Sequence, residues 1–157
     1  MPSSSLRIPW FVWWRLIREL KRRGGGRRES GAFLLGRNGV PKVTHFICYD
    51  DLDPTALDTG IIVFHGEGFV PLWEFCRVRK MRVLADVHTH GSEWTGQSDS
   101  DRTHPMIAQS GHVALIVPHL AQRRFQSLAG VGIHEYSGDH RWNAWGPKSG
   151  KVRLTLL

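Results

Sequence analysis

The chain predicts an α+β fold, a mixed β-sheet flanked by helices, and three observations carry that reading. An amphipathic stretch at helical spacing comes first, short apolar runs bounded by Gly, Pro and Asn follow it, and a second helical stretch separates the early runs from the later ones. With 157 residues, 41% of them apolar and seven of them Trp, the chain is expected to form one domain over 1–157. A chain of this length buries about two-thirds of the surface it exposes when unfolded.

Taken in order, residues 1–7 are polar and expected to be disordered. An aromatic-rich helix is expected over 8–23, with Trp13, Leu16, Ile17 and Leu20 at helical spacing and Pro9 suited to a first turn. Arg15 and Arg18 interrupt the apolar run, which is also too short for a signal peptide or a membrane span. Trp10, Phe11 and Trp14 exceed what one buried face needs, and read either as a cap on the core or as a docking surface. The basic run 21–28, with three consecutive glycines, is expected to end the helix as a flexible connection.

Residues 31–37 read as a buried strand, Asn38-Gly39 as a hairpin turn and 43–49 as the partner strand. A loop over 50–60, a strand over 61–64 and a helix over 69–80 are expected next, the helix setting Leu72, Phe75, Cys76 and Arg79 on neighbouring turns. A strand over 82–90 follows, then a short helix over 106–109 opened by Pro105, and strands over 112–117, 131–136 and 152–157.

The 82–90 strand carries the chemistry. Side chains alternate along a strand, so His88 and His90 share a face about 7 Å apart. A seven-residue loop leads to Ser98, and two residues after it stands the carboxylate of Asp101. Two imidazoles and a returning carboxylate fill three corners of a tetrahedron, the open pattern of a catalytic zinc rather than the closed four-ligand pattern of a structural one. Such an ion would bring the pKa of a water in its fourth position from about 16 towards about 7. A shuffled chain with nine His, eleven Ser and eight Asp would show this spacing about twice in a thousand tries.

A carboxylate must carry the water's proton to the departing amine. Of six glutamates, Glu29 and Glu93 are the two candidates, one opening a strand beside Gly-rich backbone and the other inside the ligand loop. Ser98 can donate to a developing oxyanion or cap the turn that carries Asp101. Trp94 reads as a wall of a substrate groove or as an anchor for the loop. Asp99 competes with Asp101 as a ligand, and His104 is the remaining His to test near the site. The other histidines, His112 and His134 among them, read as structural or surface residues.

At His88-Thr89-His90, Ser98 and Asp101 the chain resembles the JAMM (MPN-plus) metalloprotease family, whose signature is His-x-His, seven residues, Ser, two residues, Asp and an upstream Glu. Gly91 stands where that family usually has Pro. The resemblance implies zinc as cofactor, Glu29 as the upstream glutamate, a cytidine-deaminase-like layering of helices about the sheet, and cleavage after the C-terminal tail of a ubiquitin-like protein. It extends loosely from Val12 to Tyr136. The compact length resembles prokaryotic members that work beside the conjugating enzymes of bacterial ubiquitin-like pathways, some of them antiviral. Two alternatives are a non-catalytic MPN scaffold or basic binding module, and a DNA-associated role like that of the RadC branch.

The net charge of +7 invites a nucleic-acid reading. The basic residues lack interleaved aromatics, so neither nucleic acid nor membrane is the expected partner, and a basic surface facing solvent or protein is. Two cysteines without metal spacing, Cys48 and Cys76, fit a reducing cytoplasm.

Overall fold

The computed structural model describes residues 5–157, with a six-stranded mixed sheet in the order β3-β2-β4-β5-β6-β7 and a separate parallel pair, β1 and β8. The elements are β1 (Leu6–Pro9), α1 (Trp10–Gly24), β2 (Gly31–Arg37), β3 (His45–Cys48), α2 (Tyr49–Leu52), α3 (Phe69–Arg79), β4 (Met81–Thr89), α4 (Asp99–Thr103), β5 (Val113–Val117), β6 (Gly132–Gly138), β7 (Arg141–Trp145) and β8 (Val152–Thr155). The β4–β5 pair is parallel, and every other neighbouring pair in the large sheet is antiparallel. This is the α+β layout expected.

Helices cover both faces of the sheet. On one, α1 lays Val12, Trp13, Leu16, Ile17 and Leu20 against Ala32, Leu34, Ala85, Val87 and Leu115. On the other, α2 and α3 enclose a smaller core of Phe33, Leu35, Tyr49, Leu57 and Leu72. Strands buried on both sides read as continuous apolar runs, which is why 31–37 and 113–117 stand out in the sequence. Phe33 meets Tyr49 edge-on at 4.9 Å between centroids, a favoured aromatic geometry.

Several expectations are corrected. Within the polar start, residues 1–4 lie outside the described residues, whereas Leu6 and Arg7 are not disordered but belong to β1, aligned with Val152 and Arg153. That partner lies at the far end of the chain, where no local pattern points to it. The helix therefore starts at Trp10, with Pro9 as its N-cap at φ −56° and ψ 137°. It ends at Gly24, inside the basic run as expected. Glu19 holds Arg22 at 2.7 Å and Arg23 at 3.1 Å, Arg23 reaches on to Asp50 and Asp51, and Gly25 stops the helix at φ +59°.

The partner strand of β2 spans only His45–Cys48, and residues 38–44 form a longer connection than a two-residue hairpin. Residues 61–64 form no strand: the Ile62 N–H donates to the Glu29 carboxylate and the Val63 N–H to the Ala56 carbonyl, so the donors a ladder needs are taken by loop partners. Residues 106–109 form no helix. The turn comes earlier, as α4, and ends at His104, the residue before Pro105, with φ −127° and ψ 66°. Among the described residues no helix is long and apolar enough to cross a membrane.

Candidate metal centre

Strand register places the site. In the antiparallel β2–β4 pair Gly31 stands opposite His88; one step further Ser30 faces Thr89, and two steps further Glu29 comes level with His90. The first step is held by the Ser30 N–H on Thr89 Oγ1 at 3.0 Å and the Thr89 N–H on Ser30 O at 2.9 Å. Ser30 Oγ donates to the Leu20 carbonyl at 2.7 Å, tying this corner to α1. Glu29 is gripped by the loop over 53–65: its N–H donates to Gly60 O at 2.9 Å, and its Oε2 accepts the Ile62 N–H at 3.3 Å.

His88 lies near the end of β4, and His90 follows directly, its N–H bonded to Val117 O of β5 at 2.9 Å. Alternation turns both imidazoles to the same side, with buried Thr89 between them on the other. Asp101 returns on α4. Ser98 caps that helix by accepting the Asp101 N–H at 3.1 Å, and the Asp101 carboxylate accepts the Ser98 N–H at 3.0 Å, a reciprocal capping box. The cap therefore fixes the carboxylate's position as well as the helix start.

The three side chains converge. His88 Nε2 lies 3.2 Å from His90 Nε2, and Asp101 presents Oδ1 to His88 at 3.4 Å and Oδ2 to His90 at 3.3 Å. The His90 Nδ1–H donates to the Trp94 carbonyl at 3.0 Å, so in the neutral ring Nε2 carries a lone pair. Electron-rich atoms facing one another at this distance repel unless a cation sits among them. A tetrahedral metal with bonds of about 2.0–2.1 Å to N and O ligands needs ligand edges of about 3.3 Å. The residues fit that requirement, and a backbone carbonyl orienting a ligand imidazole is the usual outer support of a metal site.

The same contacts shift the proton affinities of His90 and Asp101. Burial disfavours charge on His90, but the bond to Asp101, the Trp94 carbonyl and the charges of Asp101 and Glu29 outweigh it and raise its pKa. Burial likewise works against the Asp101 carboxylate, yet the bonds from His88 and His90 hold its pKa well below the ordinary range. His134, beneath them on β6, is driven the other way by burial and by its two neighbouring imidazoles.

His88 and Asp101 open into a cleft of about 410 Å³, whose lining includes neither His90 nor Ser98. Its lining includes Glu29, Ile61 to Phe64, Asp86, His88, Asp101, His104, Pro105, Ala114 and Trp142. His104 thus borders the cleft without joining the ligand group, and Asp99, exposed at the start of α4, stands outside that group. Exposed Glu93 lines no part of the cleft, whereas Glu29 does. Trp94 also stands outside the cleft lining: its ring stacks on His90 at 5.4 Å and 23°, over Gly96, where a Cβ would strike the indole. It braces a ligand from behind.

Asp86 and Trp142 were passed over in the sequence, while His134 takes the structural role expected of it. Asp86 shares its face with His88, two residues on, a signal that strand alternation already contained. It is buried against His112 at 2.6 Å. His134 donates Nε2–H to Thr95 O at 2.9 Å, pinning the ligand loop to β6. The Trp142 Nε1–H donates to Arg102 O at 3.0 Å and so braces α4. Neither of these last two carries a local signal.

No protein-family model matches the chain. Among solved structures, protein DSY2949 from Desulfitobacterium hafniense aligns with 95% of this chain over 92% of its own, at a TM-score of 0.62 and 13% identity, a likeness of fold. AF2198, a Jab1/MPN domain protein from Archaeoglobus fulgidus, aligns over 97% of each chain at a TM-score of 0.46 and 18% identity.

Proposed function

We propose that this chain is a zinc-dependent isopeptidase of JAMM type, cleaving after the C-terminal tail of a ubiquitin-like protein, either from its conjugates or from its precursor. The observation that carries the reading is the triangle of His88, His90 and Asp101, whose 3.2–3.4 Å edges match one face of a tetrahedral zinc site. A glutamate in the same cleft, at the position that the sequence motif assigns to the base, adds to it. The ubiquitin-like substrate and a bacterial, antiviral setting rest on the motif's resemblance alone, and a cytoplasmic one on the free cysteines Cys48 and Cys76.

Zinc, when bound, would polarise the scissile carbonyl and acidify a water beside it. The chain's own residues do the rest. His88, His90 and Asp101 hold the ion and leave its cleft side open. Glu29, with Oε2 fixed by the Ile62 N–H, keeps Oε1 free of protein partners among the described residues; that atom takes the water's proton and returns it to the departing amine. Ser98 Oγ accepts the Asp101 N–H, which leaves the hydroxyl's own proton to donate to the carbonyl oxygen as it becomes negative. Capping and oxyanion support are compatible in one side chain.

The test is release of a Gly-ended modifier from a lysine adduct. Glu29→Ala is expected to bind zinc like wild type and to lose about a hundredfold or more in rate. Wild-type cleavage by a zinc-loaded Glu29→Ala protein would remove Glu29 from the mechanism, and no cleavage by wild type would remove the reading itself.

A further inference from the structure

The connection between α1 and β2 turns sharply at Gly25 and Gly26, both at positive φ, and brings the Gly26 position within about 3.7 Å of the Gln122 side chain. Arg27 and Arg28 follow Gly26, and Arg123 and Arg124 follow Gln122. Contact between Gly26 and Gln122 thus sets two arginine pairs, nearly a hundred residues apart in sequence, on neighbouring loops, with the Arg28 Nε–H donating to Arg23 O at 3.1 Å. Arg28 precedes Glu29 directly, about 3.8 Å along the Cα trace. The other loop is fastened to the metal group, since the Leu120 N–H donates to His90 O at 2.8 Å.

Arg27, Arg123 and Arg124 are exposed and Arg28 half-buried, and among the described residues none of the four is paired with a carboxylate. Neighbouring Arg22 and Arg23 share Glu19, and Arg23 takes Asp50 and Asp51. Like charge gathered without counter-charge works against folding, and an acidic partner relieves that repulsion. Phe125 packs against the core and its carbonyl accepts from buried Trp13, so neither ring is offered for bases to stack on. The cleft's chemistry also calls for a polypeptide.

We propose that Arg27, Arg28, Arg123 and Arg124 form a docking rim for an acidic patch on the protein whose C-terminal tail enters the cleft. This deepens the isopeptidase reading and rests on it. The rim steers a carrier of matching charge to the site, while the cleft selects the tail.

The experiment compares two carriers with the same Gly-ended tail on a lysine reporter: a small domain of net charge about −8, and the same domain with its acidic patch changed to Asn and Gln. Zinc-loaded wild type is expected to prefer the acidic carrier by about tenfold in kcat/KM at low salt, mostly through KM, the preference shrinking as salt screens it. Arg27→Glu, Arg28→Glu, Arg123→Glu and Arg124→Glu combined should abolish or invert that preference, and the four Gln substitutions should halve it on a logarithmic scale. Melting curves on both sets establish that each remains folded.

Equal cleavage of both carriers by wild type overturns the rim and leaves the isopeptidase reading standing. Cleavage of neither, with zinc bound, overturns that reading. Fluorescence anisotropy of the labelled acidic carrier then decides the rim: weaker binding by the Glu set supports it, equal binding ends it. Displacement of the acidic carrier by an equimolar single-stranded oligonucleotide would overturn the rim as a protein-docking surface and assign it to nucleic acid.

Discussion

Strand β4 presents two groups of imidazole and carboxylate on one face, only two residues apart, and they are built differently. Asp86 and His112 meet one to one at 2.6 Å, and both are buried. His88, His90 and Asp101 stand 3.2–3.4 Å apart, His88 and Asp101 open to the cleft, with one imidazole tautomer set by a backbone carbonyl. The first is a closed hydrogen bond in which donor and acceptor satisfy each other. The second is a ring of acceptors facing inward, spaced for something that is not protein. Residue types alone do not separate a structural pair from a ligand set; closure and spacing do.

The largest effects should separate the two groups cleanly. His88→Ala is expected to abolish stoichiometric zinc and to lower cleavage by at least about a thousandfold, because the ion supplies both the acidified water and the polarised carbonyl. Metal content after dialysis and single-turnover cleavage measure this. His112→Ala should do the reverse, retaining zinc while destabilising the fold by about 3 kcal/mol, since Asp86 is left as a buried charge without its partner. Urea unfolding of the two metal-free variants reads that difference. Zinc at about a hundred times its Kd should then add about 2.7 kcal/mol to wild type and to His112→Ala, and nothing to His88→Ala. Should His112→Ala lose zinc and His88→Ala lose stability, the division drawn between the groups is the wrong way round.

Much of this was legible in the sequence, for reasons that differ by residue. His88 and His90 follow from strand alternation, and Asp101 from a spacing that chance rarely produces. Asp86 obeys the same alternation and could have been read with them. Strand β7 was hidden because its hairpin turns through Asp139 and His140, both at positive φ, instead of the Asn-Gly or Asp-Gly pair that signals such a turn. Strand β1 was hidden because its partner is β8. Residues 61–64 misled because Ile61-Ile62-Val63-Phe64 is apolar for the sake of the second core and the cleft wall, while its amides serve Glu29 and Ala56. Local pattern shows what a side chain prefers to touch, and not which backbone it will pair with.

A moderate effect sharpens the open group further. Trp94→Ala removes the ring stacked on His90 but leaves the carbonyl that orients its Nδ1–H. Support of this kind is worth about ten- to a hundredfold in metal affinity or activity. Competition with a zinc chelator should show weaker metal binding, with KM for the tailed substrate little changed. A large KM effect with unchanged zinc affinity would instead make Trp94 a substrate wall.

The smallest expected effect belongs to a third imidazole and carboxylate pair, Asp53 and His65, which anchors the loop carrying the cleft wall. Asp53 accepts from the His65 N–H at 2.9 Å, His65 Nδ1 at 2.7 Å and both the N–H and hydroxyl of Thr55. The His65 N–H bond is the main cause holding its carboxyl far below the ordinary range. A carboxyl with a depressed folded pKa contributes stability that is present above its unfolded pKa, about 3.9, and is lost as pH falls towards the folded value. Asp53→Asn has no such charge to lose. Between about pH 7 and about pH 3 the variant's melting temperature should therefore fall less than that of wild type, while at pH 7 it lies slightly lower. His65 is largely exposed and Asp53 buried, so this pair is neither a closed lock like Asp86–His112 nor an open ring like the metal group. Parallel acid-side slopes in the two proteins would place the anchoring of the loop in the Thr55 and His65 backbone bonds rather than in the charge.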